Sequence, residues 1–388
     1  MPTVLRSFGH DVEKRRNRVL LGTWRPEKES SMTALTARTA NLAPATTSNA
    51  PIRLGVIGSG WIGAFHAQSI ALRVPNATLV AIADPQPGAA ERVAGPLNVA
   101  RTYNDVNDLL ADDDIDGVII SSPAFTHTGL VVAAAEAGKA IFVEKPMALT
   151  LSDADRAIAA AEAAGVVLQV GFNRRFASDF ARAHDLVRAG QIGTPQLLRS
   201  LTRDPELTNP AGVKPWTIFY ETLIHDFDTL NWYNEGANPV EVFAMADALV
   251  APEFKKTGLL DTAVVTIRYD NGAIAVAEAN FSAAYGYDIR GEIFGSNGMI
   301  TVGDVRTNSV RRFGPAGEES QTTRLNIDLF HQAYSDELVS FTNAIRTGKR
   351  GAGATGTDAR RALAIALACV ESVSRNSSVR LAADGSVA

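Results

Sequence analysis

The stretch FYETLIHDFDTLNW, residues 219 to 232, carries a glutamate, a histidine and an aspartate at helical spacing. If the stretch is helical, Glu221, His225 and Asp228 share one face, because residues three, four and seven apart stack along a helix. A neutral imidazole, with an ordinary pKa near 6.5, is suited to take a proton at pH 7. The same face has the donor types of a metal site. A catalytic zinc centre usually draws on more His or Cys, however, and the whole chain holds six His and one Cys. No metal is expected.

A second constellation lies upstream. GSGWIG places Gly58, Gly60 and Gly63 between an apolar strand and a helical pattern, the context in which G-x-G-x-x-G binds a dinucleotide. Gly58 permits a tight turn, Gly60 lets backbone approach a pyrophosphate, and Gly63 lets helix and strand pack closely. The helix N-terminus offers unpaired N–H groups to the phosphates. Asp84 ends the next strand about 20 residues on, where a carboxylate accepts both ribose hydroxyls and repels a 2′-phosphate. The expected cofactor is therefore NAD rather than NADP. At the end of a later strand stands EKP, Glu144 to Pro146. Ligands of doubly wound sheets bind outside the carboxyl ends of the strands, so Lys145 is expected to project toward the nicotinamide.

The elements that must hold these groups follow from periodicity. From IRLGVIG to VVLQVGF, short continuous apolar strands alternate with helical patterns, which predicts a parallel sheet with crossover helices ending near Phe172. Beyond it, Asn271-Gly272 and Asn297-Gly298 sit between alternating apolar segments and read as hairpin turns. The expected fold is thus α/β, a doubly wound parallel sheet over residues 51–172 followed by an α+β domain with an open, largely antiparallel sheet over 173–388. Two late helices, about Phe330 to Arg346 and Asp358 to Ser374, belong to the second part. Residues 1–50 are charged or rich in Ala, Thr and Ser with little to bury, and read as a disordered extension.

Composition excludes some partners. With 46% hydrophobic and 20% charged residues and a net charge of −5, the chain lacks the basic excess of nucleic-acid binders. No run reaches the ~18 apolar residues of a membrane span. The single Cys369 lies in the apolar run ALAIALACV and reads as a buried thiol in a protein of a reducing compartment, the cytoplasm.

Six ordered motifs, GSGWIG, SSPAFTH, EKP, GFNRRF, IHDFD and YGYDIRGEIFGSNG, together resemble the glucose-fructose oxidoreductase/inositol dehydrogenase family, Gfo/Idh/MocA, over about residues 52 to 382. The inositol 2-dehydrogenase branch is the most similar. The resemblance implies a Rossmann domain, and a second domain whose open sheet forms a dimer or tetramer. It also implies NAD-dependent oxidation of a secondary hydroxyl of a cyclitol or related sugar. By motif, Lys145, His225 and Glu221 form the polar centre. Trp61, Ile62, Ser122, Pro123, His127 and Glu144 join the glycines and Asp84 on the cofactor. Asn173, Arg174, Asp228 and Tyr287 line the substrate pocket with Lys145 and His225, and Tyr285 competes with Tyr287 for that role. One departure stands out: the family pattern GG-x-F-x-D before the histidine reads WTIFYE here, with Trp216 and Thr217 for the glycines and Glu221 for the aspartate. Trp216 near the pocket is expected to narrow the substrate range.

Such a set fits hydride abstraction. The hydroxyl proton must leave to a positioned base, and the developing alkoxide needs a cation. His225 and Lys145 supply these roles, in either assignment. Glu221 is expected to orient the imidazole and stabilise it when protonated. Two other classes share these features, an NAD-retaining glycoside-cleaving enzyme and a non-catalytic NAD-binding protein on the same fold.

Overall fold

The computed structural model describes residues 50–388. Apart from Ala50, the expected N-terminal extension lies outside the described residues. The first sheet contains β1 (Ile52–Ile57), β2 (Ala77–Ala83), β3 (Arg101–Tyr103), β4 (Gly117–Ile120), β5 (Ala140–Glu144) and β6 (Leu168–Gly171). All pairs are parallel and the order is β3-β2-β1-β4-β5-β6, so the strand order reverses between β1 and β4 and opens a crevice at their carboxyl ends. β4 and β5 are buried throughout, which is why they read as unbroken apolar runs. β3 gives no such signal: it is three half-buried residues at the sheet edge, placed only by pairing with β2.

The second sheet is built on β7 (Pro195–Arg203), β8 (Pro239–Asp247), β9 (Thr262–Tyr269), β10 (Ile274–Asn280), β11 (Asp288–Gly295) and β12 (Gly298–Val302). β13 (Arg306–Gly314) and β14 (Gly317–Thr322) make a separate ribbon, and β15 (Val379–Arg380) joins the sheet edge in the order β12-β11-β7-β10-β9-β8-β15. Both Asn-Gly steps form the expected antiparallel hairpins, β9 to β10 and β11 to β12. The pair β7 and β10 is parallel, so the sheet is mixed and mostly antiparallel. Helices Leu223–Tyr233 and Gly356–Arg375 bury Phe227, Leu230, Ala362 and Ile365 with Val242, Val265 and Ala275 of the sheet. The helix His331–Thr347 turns back to the first sheet, where Leu338 and Phe341 share a core with Leu54, Val56 and Phe142.

Candidate active site

The glycine turn has the backbone its sequence demands. Gly58 has φ of 93°, and a Cβ on it would meet the Ser122 nitrogen at 2.8 Å; one on Gly63 would fall 1.9 Å from the Gly58 carbonyl oxygen. A Cβ on Gly60 meets nothing within 4 Å, so the space before this residue is open. Gly60 starts the helix Trp61–Arg73 with no side-chain cap and no acid in the first turn, which leaves donors free for an anion. Asp84 accepts from the Ser59 N–H and hydroxyl, both at 2.8 Å, and from the Gln86 N–H at 2.9 Å. Burial works against its charge, but these donors outweigh burial and hold the carboxyl below its usual range. Glycine turn, uncapped helix and ionised carboxylate together fit a dinucleotide.

Other expected cofactor residues frame this crevice. Ser122 bonds Thr126 at 2.6 Å, and Pro123 caps the helix Ala124–Glu136. The buried His127 ring lies 2.8 Å from both the Ser122 and the Pro146 carbonyl oxygens, bracing one loop against the other. Trp61 is exposed and Ile62 packs partly against the core. The side chain of Glu144 is turned inward to His66, at 2.6 Å.

The two constellations meet in a cavity of about 120 Å³ lined by Lys145 and Asn173 from the first sheet's side and by Arg174, Thr202, Asp204, Glu221, His225 and Tyr287. Lys145 Nζ donates to Glu221 Oε2 and to the Glu221 backbone carbonyl, each at 3.1 Å. His225 Nδ1 is buried with no hydrogen-bond partner, so the Glu221 carboxylate serves Lys145 and not that nitrogen. The expectation that Glu221 orients the imidazole is corrected by local backbone geometry. Residues Ile218–Thr222 form a π turn, and the α-helix begins only at Leu223. The wider i→i+5 turn takes Glu221 out of the α-helical register that the sequence spacing implied.

Trp216 has φ of 65°, in the left-handed region where the family pattern has glycine. A non-glycine residue in that region costs of order 1–3 kcal/mol. The Trp216 ring stacks on Phe219 at 6.4 Å, and it is not among the cavity-lining residues, contrary to its expected place at the pocket.

Electrostatics separate the titratable groups. Burial, then the nearby Lys145 and Arg174 charges, push His225 well below its usual pKa, so the imidazole is neutral at pH 7. Burial raises Asp204 to about 6 although Tyr287, Arg174 and Lys145 counteract it. Arg174 is itself held by Asp226 at 2.8 Å and by Thr202, within a buried cluster that includes Ser200.

Asp228 is not brought to this cavity. It is 1% exposed and pairs with Arg175 at 2.6 and 2.9 Å, with Asp358 on the other side of the guanidinium. Tyr285 points elsewhere too, donating to Asp288 at 2.6 Å, while Tyr287 lines the cavity. Asp204 was missed, although TRDP at the end of β7 placed an acid at a strand terminus. Tyr334 and Phe330 also line the cavity, brought there by a helix more than a hundred residues downstream of His225.

Residues 52–172 match the model of the oxidoreductase family with an NAD-binding Rossmann fold, and residues 180–301 match the GFO/IDH/MocA C-terminal domain. The chain is 36% identical to the myo-inositol 2-dehydrogenase of Thermotoga maritima over 332 residues, 85% of this chain and 98% of that one. The chain belongs to the Gfo/Idh/MocA family. It is an NAD-binding oxidoreductase. Another family relative, the scyllo-inositol 2-dehydrogenase (NAD(+)) of Bacillus subtilis, is 35% identical over 85% of this chain and 96% of its own length. The crystal structure of the Lactobacillus casei scyllo-inositol dehydrogenase with bound NAD(H) and scyllo-inositol matches this Gfo/Idh/MocA fold with a TM-score of 0.81 at 29% identity, over 85% of this chain and 99% of that one.

Proposed function

We propose that the chain oxidises one secondary hydroxyl of an inositol or a similar cyclitol to a ketone, with NAD as the hydride acceptor. The observation that carries this reading is the meeting of Lys145 and His225, from opposite sides of the crevice, in one cavity walled by polar groups. Asn173, Arg174, Asp204 and Tyr287 suit a ring bearing several hydroxyls, and the names of the relatives agree with such a substrate.

In this reading the neutral imidazole of His225 takes the hydroxyl proton, and the Lys145 ammonium stabilises charge building on the same oxygen. Glu221 fixes the ammonium through both its carboxylate and its backbone carbonyl. When bound, NAD supplies the hydride acceptor. The test is a panel of inositols, sugars and anhydrosugars, with reduced cofactor followed for each. Steady NADH formation with a cyclitol supports the reading, and turnover without net NADH sinks it.

Self-association through the second sheet belongs to the same proposal. Met299, Phe294, Leu197 and Ile274 are exposed and are successive cross-strand neighbours, forming an apolar row over four strands. A row of this kind favours contact with another copy, as a dimer or tetramer. The buried Cys369 supports a cytoplasmic setting, and among the described residues no helix is long and apolar enough to cross a membrane.

A further inference from the structure

Behind Lys145, three ionisable side chains meet out of reach of solvent. His66, from the helix Trp61–Arg73, and Glu337, from the helix His331–Thr347, are both 0% exposed, and Glu144 ends β5. His66 Nε2 lies 2.6 Å from Glu144 Oε1, while Glu144 Oε2 accepts the backbone N–H of Lys145 at 3.2 Å. One ring nitrogen of His66 and one oxygen from each glutamate all lie within 4.8 Å of one another. Neither carboxylate oxygen of Glu337 has a hydrogen-bond partner, and neither has His66 Nδ1. The walls are aromatic: Phe142 and Tyr334 stand edge-on to His66.

An ionised carboxylate in such a place has nothing to replace its lost hydration and faces a second carboxylate. The titratable groups around it are Glu144 from β5, His66 from the glycine-turn helix and Tyr334 from its own helix. Arg174, on the turn packed against that helix, is engaged by Asp226. Burial first, then the Glu144 charge, raise Glu337 well above the usual carboxyl range. We propose that Glu337 is a neutral acid whose own proton is shared with the Glu144–His66 pair, and that this buried unit positions the backbone of Lys145 from behind.

One proton removes the clash of the two buried carboxyls. The Glu337 O–H donates to Glu144, as one of two close carboxyls does when both cannot ionise. Glu144 stays an acceptor for His66 and for the Lys145 N–H. Glu337 touches neither substrate nor cofactor in this scheme and is a positioning residue. The unit also ties three elements together: the glycine-turn helix, the end of β5 and the late helix that covers the first sheet.

The test uses the full chain and the variants Glu337→Gln and Glu337→Leu. A carboxyl whose folded pKa is raised gives stability below its unfolded pKa and loses it as pH rises toward the folded value. Glutamine keeps the neutral donor and cannot ionise. The melting temperature of Glu337→Gln relative to wild type is therefore expected to rise with pH from about 5 to about 9. That arm needs no substrate and stands apart from the dehydrogenase reading. The kinetic arm rests on that reading: Glu337→Gln keeps kcat within about twofold, whereas Glu337→Leu lowers it at least about tenfold with little change in KM for NAD. A melting difference independent of pH, a glutamine variant as impaired as the leucine one, or an equimolar divalent metal in the purified protein overturns the proposal. If the leucine variant does not fold, the glutamine variant decides by its melting profile and its kcat.

Discussion

Lys145 and Glu221 are joined twice across the crevice, ammonium to carboxylate and ammonium to backbone carbonyl, both at 3.1 Å. This pairing gives the glutamate a duty that its distance in sequence from His225 did not suggest. Glu221→Ala is expected to leave NAD affinity within about twofold and to lower kcat roughly ten- to a hundredfold, since Lys145 is then held less firmly. Glu221→Asp tests reach, and recovers only part of the loss because the side chain is one methylene shorter. Steady-state kinetics with separate NAD titrations measure both.

The pH profile separates His225 from Asp204. His225 is shifted well below 6.5, so its protonation is not expected to give the acid limb near neutrality. Asp204, raised to about 6, is expected to give an inflection there in kcat/KM, and Asp204→Asn removes it. Stability follows the same sign rule. Asp204 favours the folded state below its unfolded pKa near 3.9, and that contribution is lost as pH rises through about 6. Asp204→Asn therefore gains melting temperature relative to wild type above pH ~6 and not below pH ~4.

The pair of Asp228 and Arg175 is structural in this fold. Burial opposes the Arg175 charge, but Asp228 and then Asp358 hold the guanidinium more firmly protonated than usual. Asp228→Asn leaves a buried cation poorly paired and is expected to cost about 3–5 kcal/mol of stability. Below its lowered melting temperature the variant should keep KM for the substrate within about twofold. A large KM change in well-folded protein restores Asp228 to the substrate pocket.

The glycine turn offers a clean division between folding and binding. Gly60→Ala meets no neighbouring atom, so melting temperature is expected to stay within a few degrees while NAD affinity drops. Gly63→Ala places a methyl 1.9 Å from a carbonyl oxygen and is expected to destabilise the fold itself. Calorimetric titration with NAD and thermal melting distinguish the two.

How much was legible in the sequence depended on whether a feature is local. The glycine turn, Asp84, Lys145 at a strand end and the two Asn-Gly hairpins are properties of short segments, and each stands where its segment predicted. β3 has no periodicity of its own and exists because β2 offers it an edge. The face shared by Glu221, His225 and Asp228 failed for two reasons, one local and one distant. A π turn displaces Glu221, and Arg175, more than fifty residues upstream, claims Asp228. Asp204 and Tyr334 reach the cavity only through tertiary packing, as does Glu337 in its buried cluster. Spacing along the chain carries no record of such meetings.

In the proposed reaction the Lys145 and His225 cavity oxidises a cyclitol with NAD. The most direct measurement is a single-turnover experiment that mixes saturating NAD with myo- or scyllo-inositol and follows NADH, for wild type and Lys145→Met, with NAD affinity determined on the same samples. Wild type is expected to form NADH, and the variant to do so about 10²- to 10⁴-fold more slowly while still binding NAD. Full activity in Lys145→Met, or NAD binding by wild type with no NADH from any cyclitol, contradicts the proposed reaction.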